Sequence, residues 1–130
     1  MSNIPIKKTV LLAIILVPVL LFPGGKAYPR EAGEAARIEY LIKSVGDLQG
    51  VRFVRNGSEY DPLQAASHLR FKLEKAGSRV NSVEDFIVLV GSKSYHSGKP
   101  YRLRYPDGTI MDAEKFFRRR LQDFNSGHKK

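Results

Sequence analysis

The sequence predicts an α+β fold: two β-hairpins, able to join as one small antiparallel sheet, packed with about four helices. Three observations lead there. Asn56-Gly57 and Asp107-Gly108 are Asx-Gly pairs of the kind that turn a hairpin. Each is followed by an aspartate placed to open a helix, Asp61 and Asp112. Apolar residues recur at helical spacing before the first hairpin and after the second.

The chain has 130 residues, and its first 27 read as a secretory signal peptide. Lys7-Lys8 precede an apolar run from Thr9 to Phe22, and Gly25-Lys26-Ala27 puts small residues at the −3 and −1 positions of a cleavage site. A membrane anchor is the rival, but a span needs about 20 apolar residues, and this run is shorter and carries Pro18. Cleavage is expected after Ala27, within the window Phe22–Tyr28, with no stable membrane span left afterwards. No Cys lies near the site to carry a lipid. Residues 28–124 then form one small α+β domain, and residues 125–130 a flexible basic tail.

The whole chain carries 22 Lys and Arg against 13 Asp and Glu. Losing Lys7, Lys8 and Lys26 with the leader leaves 19 basic against 13 acidic side chains, a balance of +6. A basic exported protein has no nucleic acid to meet; anionic head groups, wall polymers and acidic proteins are the partners within its reach. Surplus Lys and Arg also simply keep a small domain soluble. The chain has no Cys, which removes disulfides, thiol catalysis and Cys–zinc sites.

Glu31–Asp47 is expected as the first helix. Ile38, Leu41, Ile42, Val45 and Leu48 form one buried stripe, with Glu31 and Glu34 suited to the dipole of the first turn and Tyr40 pointing away. Val51–Val54 alternates as a strand, Asn56-Gly57 turns it, and Asp61-Pro62 with Gln64 makes a near-complete capping box for a helix ending at Gly77. On that helix Ala66, Leu69, Leu73 and Ala76 face the core. His68, Lys72, Lys75 and Arg79 make a second line one flank over. Such a basic line ordinarily covers an apolar edge with its methylenes; it also makes an anion-facing ridge, with His68 able to gain charge as pH falls.

Ser82-Val83-Glu84-Asp85 reads as a helix start. Phe86–Val90 is apolar all round, and a short central helix is expected in preference to a buried strand, with neighbours covering nearly every side. Gly91–Pro100 is a long polar connection with four hydroxyls, those of Ser92, Ser94, Tyr95 and Ser97, two Lys and His96; connections of that length are usually functional or mobile. Tyr101–Tyr105 and Thr109–Met111 make the second hairpin around Pro106-Asp107-Gly108, and Asp112 is expected to cap a last helix with Phe117, Leu121 and Phe124 inward. Laying Asn56-Gly57 on Asp107-Gly108 also superposes Asp61 on Asp112, which fits either an internal αββα duplication with the polar loop as an insertion or simply two uses of the same hairpin chemistry.

Catalytic signatures are missing from the sequence. His68, His96 and His128 share no metal-ligand spacing, no Gly-x-Ser-x-Gly elbow or phosphate loop occurs, and Ser-x-x-Lys falls only at Ser126–Lys129. No catalytic residue, metal or cofactor is therefore assigned.

Phe53-Val54-Arg55-Asn56-Gly57, Tyr60, Ala65-Ala66, His68-Leu69, Lys72, Glu84-Asp85-Phe86-Ile87, Ser92-Lys93-Ser94 and Ser97-Gly98-Lys99-Pro100-Tyr101 together resemble the recurring pattern of the YfeK-like family, small exported bacterial proteins of unknown function. The resemblance implies a Gram-negative envelope setting, periplasmic, and supplies no activity. It marks Arg55, Asn56, His68, Lys72, Ser92, Ser94 and Ser97, polar residues that packing does not demand; Lys99 joins them from the loop. The expectation is a non-enzymatic binding module, in which the loop folds over the hairpin turn and the His68–Lys72 ridge to hold an anionic or carbohydrate-like envelope ligand. The alternative is a factor that docks an acidic envelope partner through its basic helices, chiefly Arg118-Arg119-Arg120.

Overall fold

The computed structural model describes residues 28–128; the signal peptide and cleavage site expected over residues 1–27 lie outside the described residues, as do the last two residues of the tail. Helix α1 is Ala32–Gly46, and the first hairpin pairs β1 (Arg52–Arg55) with β2 (Ser58–Tyr60). Helix α2, Pro62–Ala76, follows. A short α3 (Val83–Asp85) runs on as a π-helical segment, Phe86–Gly91. The second hairpin, β3 (Arg102–Arg104) and β4 (Ile110–Asp112), leads into α4, Ala113–Gly127. The two hairpins do join: β1 pairs antiparallel with β3, giving one four-stranded sheet of order β2-β1-β3-β4.

The expected caps account for the helix starts. Asp61 accepts from the Gln64 N–H at 2.8 Å while the Gln64 side chain accepts from the Asp61 N–H at 3.0 Å, and Pro62 occupies the first turn, where its missing donor is not needed. Ser82 and Asp85 make a second reciprocal box. Glu31 caps α1 through the Glu34 N–H. Asp112 precedes α4 but makes no side-chain cap; its carboxylate is drawn instead to Arg102 at 3.1 Å across the β3–β4 pair.

The two turns differ in kind. Asn56 and Gly57 both have positive φ, 48° and 83°, the requirement of a type I′ turn joining a two-residue loop. The second loop is one residue longer, Pro106-Asp107-Gly108, closed by the Gly108 N–H on the Tyr105 carbonyl.

The sheet buries one face. Phe53 and Leu103 are opposite one another at its centre and fully covered by the helices, alongside Leu41, Ile42, Leu69, Phe86, Ile87 and Phe117. The other face is solvated and laced with ion pairs, Arg52 and Arg104 on Glu59 and Arg102 on Asp112. The β1–β3 register runs Arg52↔Arg104, Phe53↔Leu103, Val54↔Arg102. The element order helix, hairpin, helix occurs twice, opened in the first half by the 15-residue α1 and in the second by the three-residue α3 with its π segment.

Four expectations need correction. Val88 and Leu89 are 40% and 47% exposed, so the apolar segment is covered on one side only: Phe86, Ile87 and Val90 point inward, and the wider π turn swings the two between them out to solvent. Tyr40 is partly buried and packs on Phe124 at 5.0 Å instead of pointing away. Phe116 is buried beside Phe117, while Leu121 and Phe124 are only partly covered. Finally, α4 continues through Gly127, so the tail expected from residue 125 is helical over its first three residues.

Candidate functional site

Strand alternation aims β1 at the site. Phe53 points into the core, so Arg55, two residues on, lies on the same face at the end of the strand. There its guanidinium meets His68 on α2, with Nη1 donating to the imidazole Nε2, and lies 5.5 Å from the centre of the Tyr60 ring. Tyr60 and His68 are parallel, 6.5 Å apart. Accepting from an obligate donor requires His68 to be neutral at Nε2.

On α2, His68, Phe71, Lys72, Lys75 and Ala76 fall at helical spacing and, with Arg79 from the 3-10 turn Gly77–Arg79 that follows it, line one side of a cleft of about 440 Å³. The π segment supplies Leu89 and Val90, the polar loop Ser94, Tyr95 and His96, and the sheet end Arg55, Asn56 and Tyr101. The loop does fold over the hairpin turn. Asn56 donates to Ser94 Oγ at 3.2 Å and accepts from Ser97 Oγ at 2.6 Å, while Ser94 and Lys99 close the loop's neck through a backbone bond.

The structure thus gathers Arg55, Asn56, His68, Lys72 and Ser94 around one cleft. Ser97 stands beside it as a latch to Asn56. Ser92 is not at the surface: it is buried, and its hydroxyl is spent on the Ile87 carbonyl, closing the end of the π segment. Lys99 is exposed and does not line the cleft. Phe71, Leu89, Tyr95 and Tyr101 escaped the sequence reading of the site. Lys75 and Arg79 were visible only as members of a basic line.

Lys72 is the most constrained of these groups. Its ammonium donates to the Val90 carbonyl at 2.8 Å, the Lys93 carbonyl at 3.3 Å and Tyr101 Oη at 2.8 Å. Loss of hydration, with Arg55 nearby, brings its pKa down to about 8. Burial likewise raises the Tyr101 phenol.

Burial, then Arg55 and Lys72, hold His68 below the ordinary imidazole range. The ridge therefore does not gain charge readily on mild acidification, contrary to expectation. As pH falls through about 6.5 the unfolded chain takes up a proton that the folded chain refuses, so stability is lost toward the depressed folded pKa. Denaturant midpoints at pH 7.5 and pH 5.0 should fall further for the parent protein than for His68→Gln, whose amide oxygen still accepts from Arg55. Equal falls would place the acid sensitivity elsewhere.

The electrostatics of the cleft are one-sided. Arg55, Lys72, Lys75 and Arg79 line it, no Asp or Glu does, and none of the four has a carboxylate partner among the described residues. The basic run on α4 is the reverse case. Arg118 grips Glu84 through both oxygens at 2.9 Å and also reaches Glu114, and Arg120 pairs with Asp123. Among the described residues no cluster of three His, Cys, Asp or Glu is placed to hold a metal ion, and no helix is long and apolar enough to cross a membrane.

Fold and cleft together define a small α+β protein, its two hairpins joined in one sheet under the helices, carrying one cationic cleft. A family model described as a family of unknown function (DUF5329) matches residues 32–125, and the chain belongs to that family. It is also 40% identical over 70 residues to the Uncharacterized protein YfeK of Salmonella typhimurium (strain LT2). That match covers 54% of this chain and 58% of the relative, so it spans little more than half the length of either. No solved structure matches.

Proposed function

We propose that this is an exported, periplasmic binding module whose cleft holds an anionic envelope ligand. The observation that carries the reading is the segregation of charge: four cations without carboxylate partners line one cleft that no carboxylate lines, while most of the arginines outside it, Arg70, Arg102, Arg118 and Arg120 among them, pair with a carboxylate. Cations left unpaired in a cleft focus an attractive potential on anions. The carbohydrate-like half of the expectation has less support. Sugar hydroxyls need acceptors as well as donors, and the one side-chain amide lining the cleft, Asn56, already has its oxygen and nitrogen engaged by Ser97 and Ser94. Docking of an acidic protein through α4 has less support because Arg118 and Arg120 are paired within the fold, which leaves only the exposed Arg119 of that run without a carboxylate.

Pyrophosphate is a suitable probe because it carries charge and no apolar part. Backbone amide shift mapping should place its effects on β1, α2 and the loop, and Arg55→Gln with Arg79→Gln should weaken binding about tenfold or more, with salt doing the same. Shifts centred on α4, or none at all, would overturn the reading. The export half has its own check: protein recovered from the periplasmic fraction should begin at or close to Tyr28.

A further inference from the structure

We propose that the ligand is an anionic amphiphile, a single apolar chain ending in a negatively charged head, taken up as a soluble monomer; this rests on the anion-binding reading above and narrows it. The argument begins with where the fold leaves apolar surface uncovered. Six large apolar side chains are exposed among the described residues, and Phe71, Leu89 and Tyr95 at 54%, 47% and 78% exposure all line the cationic cleft. Val90 and Ala76 continue the same apolar lining inward. Scattered exposed apolar residues need no explanation; their concentration in one concavity does.

Leu89 is there for a specific structural reason. An α-helical continuation of α3 gives way to a π segment, and the two side chains turned outward by it are Val88 and Leu89. Leu89 then lines the same cleft as Phe71, Lys75 and Arg79. Lys75 already lies 5.2 Å from the centre of the Phe71 ring, so charge and apolar surface are interleaved rather than separated. A compact inorganic anion would leave that apolar lining in water, and a neutral apolar molecule would strip the cations of water without replacing it. A ligand with both parts satisfies both. At about 440 Å³ the cleft is of the size that encloses a small organic ligand.

The test compares octyl phosphate, kept below its micellar concentration, with inorganic phosphate, octyl glucoside and octyltrimethylammonium, by isothermal titration calorimetry on the mature protein. Each methylene withdrawn from water strengthens binding roughly fourfold, so burying four of the eight carbons makes octyl phosphate at least about a hundredfold tighter than inorganic phosphate. Octyl glucoside and octyltrimethylammonium are expected at least about tenfold weaker than octyl phosphate. Leu89→Ser and Phe71→Ser should remove most of the gain from the tail, so that the ratio of octyl phosphate to inorganic phosphate affinity falls by about tenfold or more. If inorganic phosphate and octyl phosphate bind alike, the amphiphile is wrong and the anion site stands. If octyl glucoside equals octyl phosphate, the anion reading itself fails. Sedimentation with phosphatidylglycerol vesicles without any binding of monomeric octyl phosphate would make the surface a membrane contact and overturn the soluble ligand.

Discussion

Replacing Gly91 by alanine is expected to destabilise the protein by about 2–3 kcal/mol, the upper part of the range for overpacking a closed core. Gly91 is buried at the end of the π segment, and a Cβ there would sit 2.7 and 3.0 Å from two atoms of the Phe117 ring. That ring cannot simply step aside. It is fully buried and meets Phe86 edge-on at 5.7 Å and Phe116 at 5.5 Å. The strain would therefore move α4 against the π segment, carrying Val90 and the Lys72 anchor with it. Urea unfolding gives the loss directly, and pairing Gly91→Ala with Phe117→Leu isolates its origin. Removing the ring atoms should make the alanine far cheaper, a coupling of more than about 1 kcal/mol. A loss below about 0.5 kcal/mol for the single change would mean the contact has slack that the packing around Phe117 denies.

That contact also shows where sequence reading reaches its limit. Hairpins and caps are local chemistry: Asn56-Gly57 and Asp61-Pro62-x-Gln64 specify their dihedrals and hydrogen bonds within a few residues, so both were legible. The two-hairpin plan was legible for the same reason, although Asp112 opens α4 without the side-chain cap expected of it. The Phe86–Val90 run was not. An all-apolar segment gives no periodicity to say which side is open, and the π geometry that exposes Val88 and Leu89 is set by α2 and α4 closing on it. Site residues divide along the same line. Arg55 and the His68–Arg79 line follow from periods of 2.0 and 3.6, whereas Ser92 looked like a ligand-facing hydroxyl and is a buried cap. Leu89 and Phe71 joined the site only once three distant elements met. The cleft lies at the polar loop that the first half does not have, which is why matching one half to the other could not locate it.

Lys72 yields the second large effect: Lys72→Met should cost about 2 kcal/mol even though it removes a poorly hydrated charge. The relief and the cost can be compared. Losing the ammonium ends its desolvation and its repulsion with Arg55, the two causes that bring its pKa to about 8. The change also leaves the part-buried Val90 carbonyl and Tyr101 Oη without their donor, and each buried polar group left unpaired costs about 1–3 kcal/mol; the Lys93 carbonyl, on the exposed side, turns to water. Two such groups outweigh one relieved amine. The pH dependence separates this account from simple loss of packing. Between about pH 8 and the ordinary lysine value near 10.5, the unfolded chain holds a proton that the folded chain has given up, so stability gained from this residue rises with pH across that window and is absent below it. Deprotonation does not break the network. The raised Tyr101 phenol keeps its proton there and can turn from acceptor to donor toward the neutral amine, whose two remaining N–H groups still serve the two carbonyls. Denaturant midpoints measured from pH 7.5 to 9.5 should therefore climb for the parent protein relative to Lys72→Met, and Tyr101→Phe should flatten the climb by removing the hydroxyl that reverses. Parallel profiles for all three proteins would mean that Lys72 is an ordinary solvated surface cation rather than the tie holding α2 to the loop and β3.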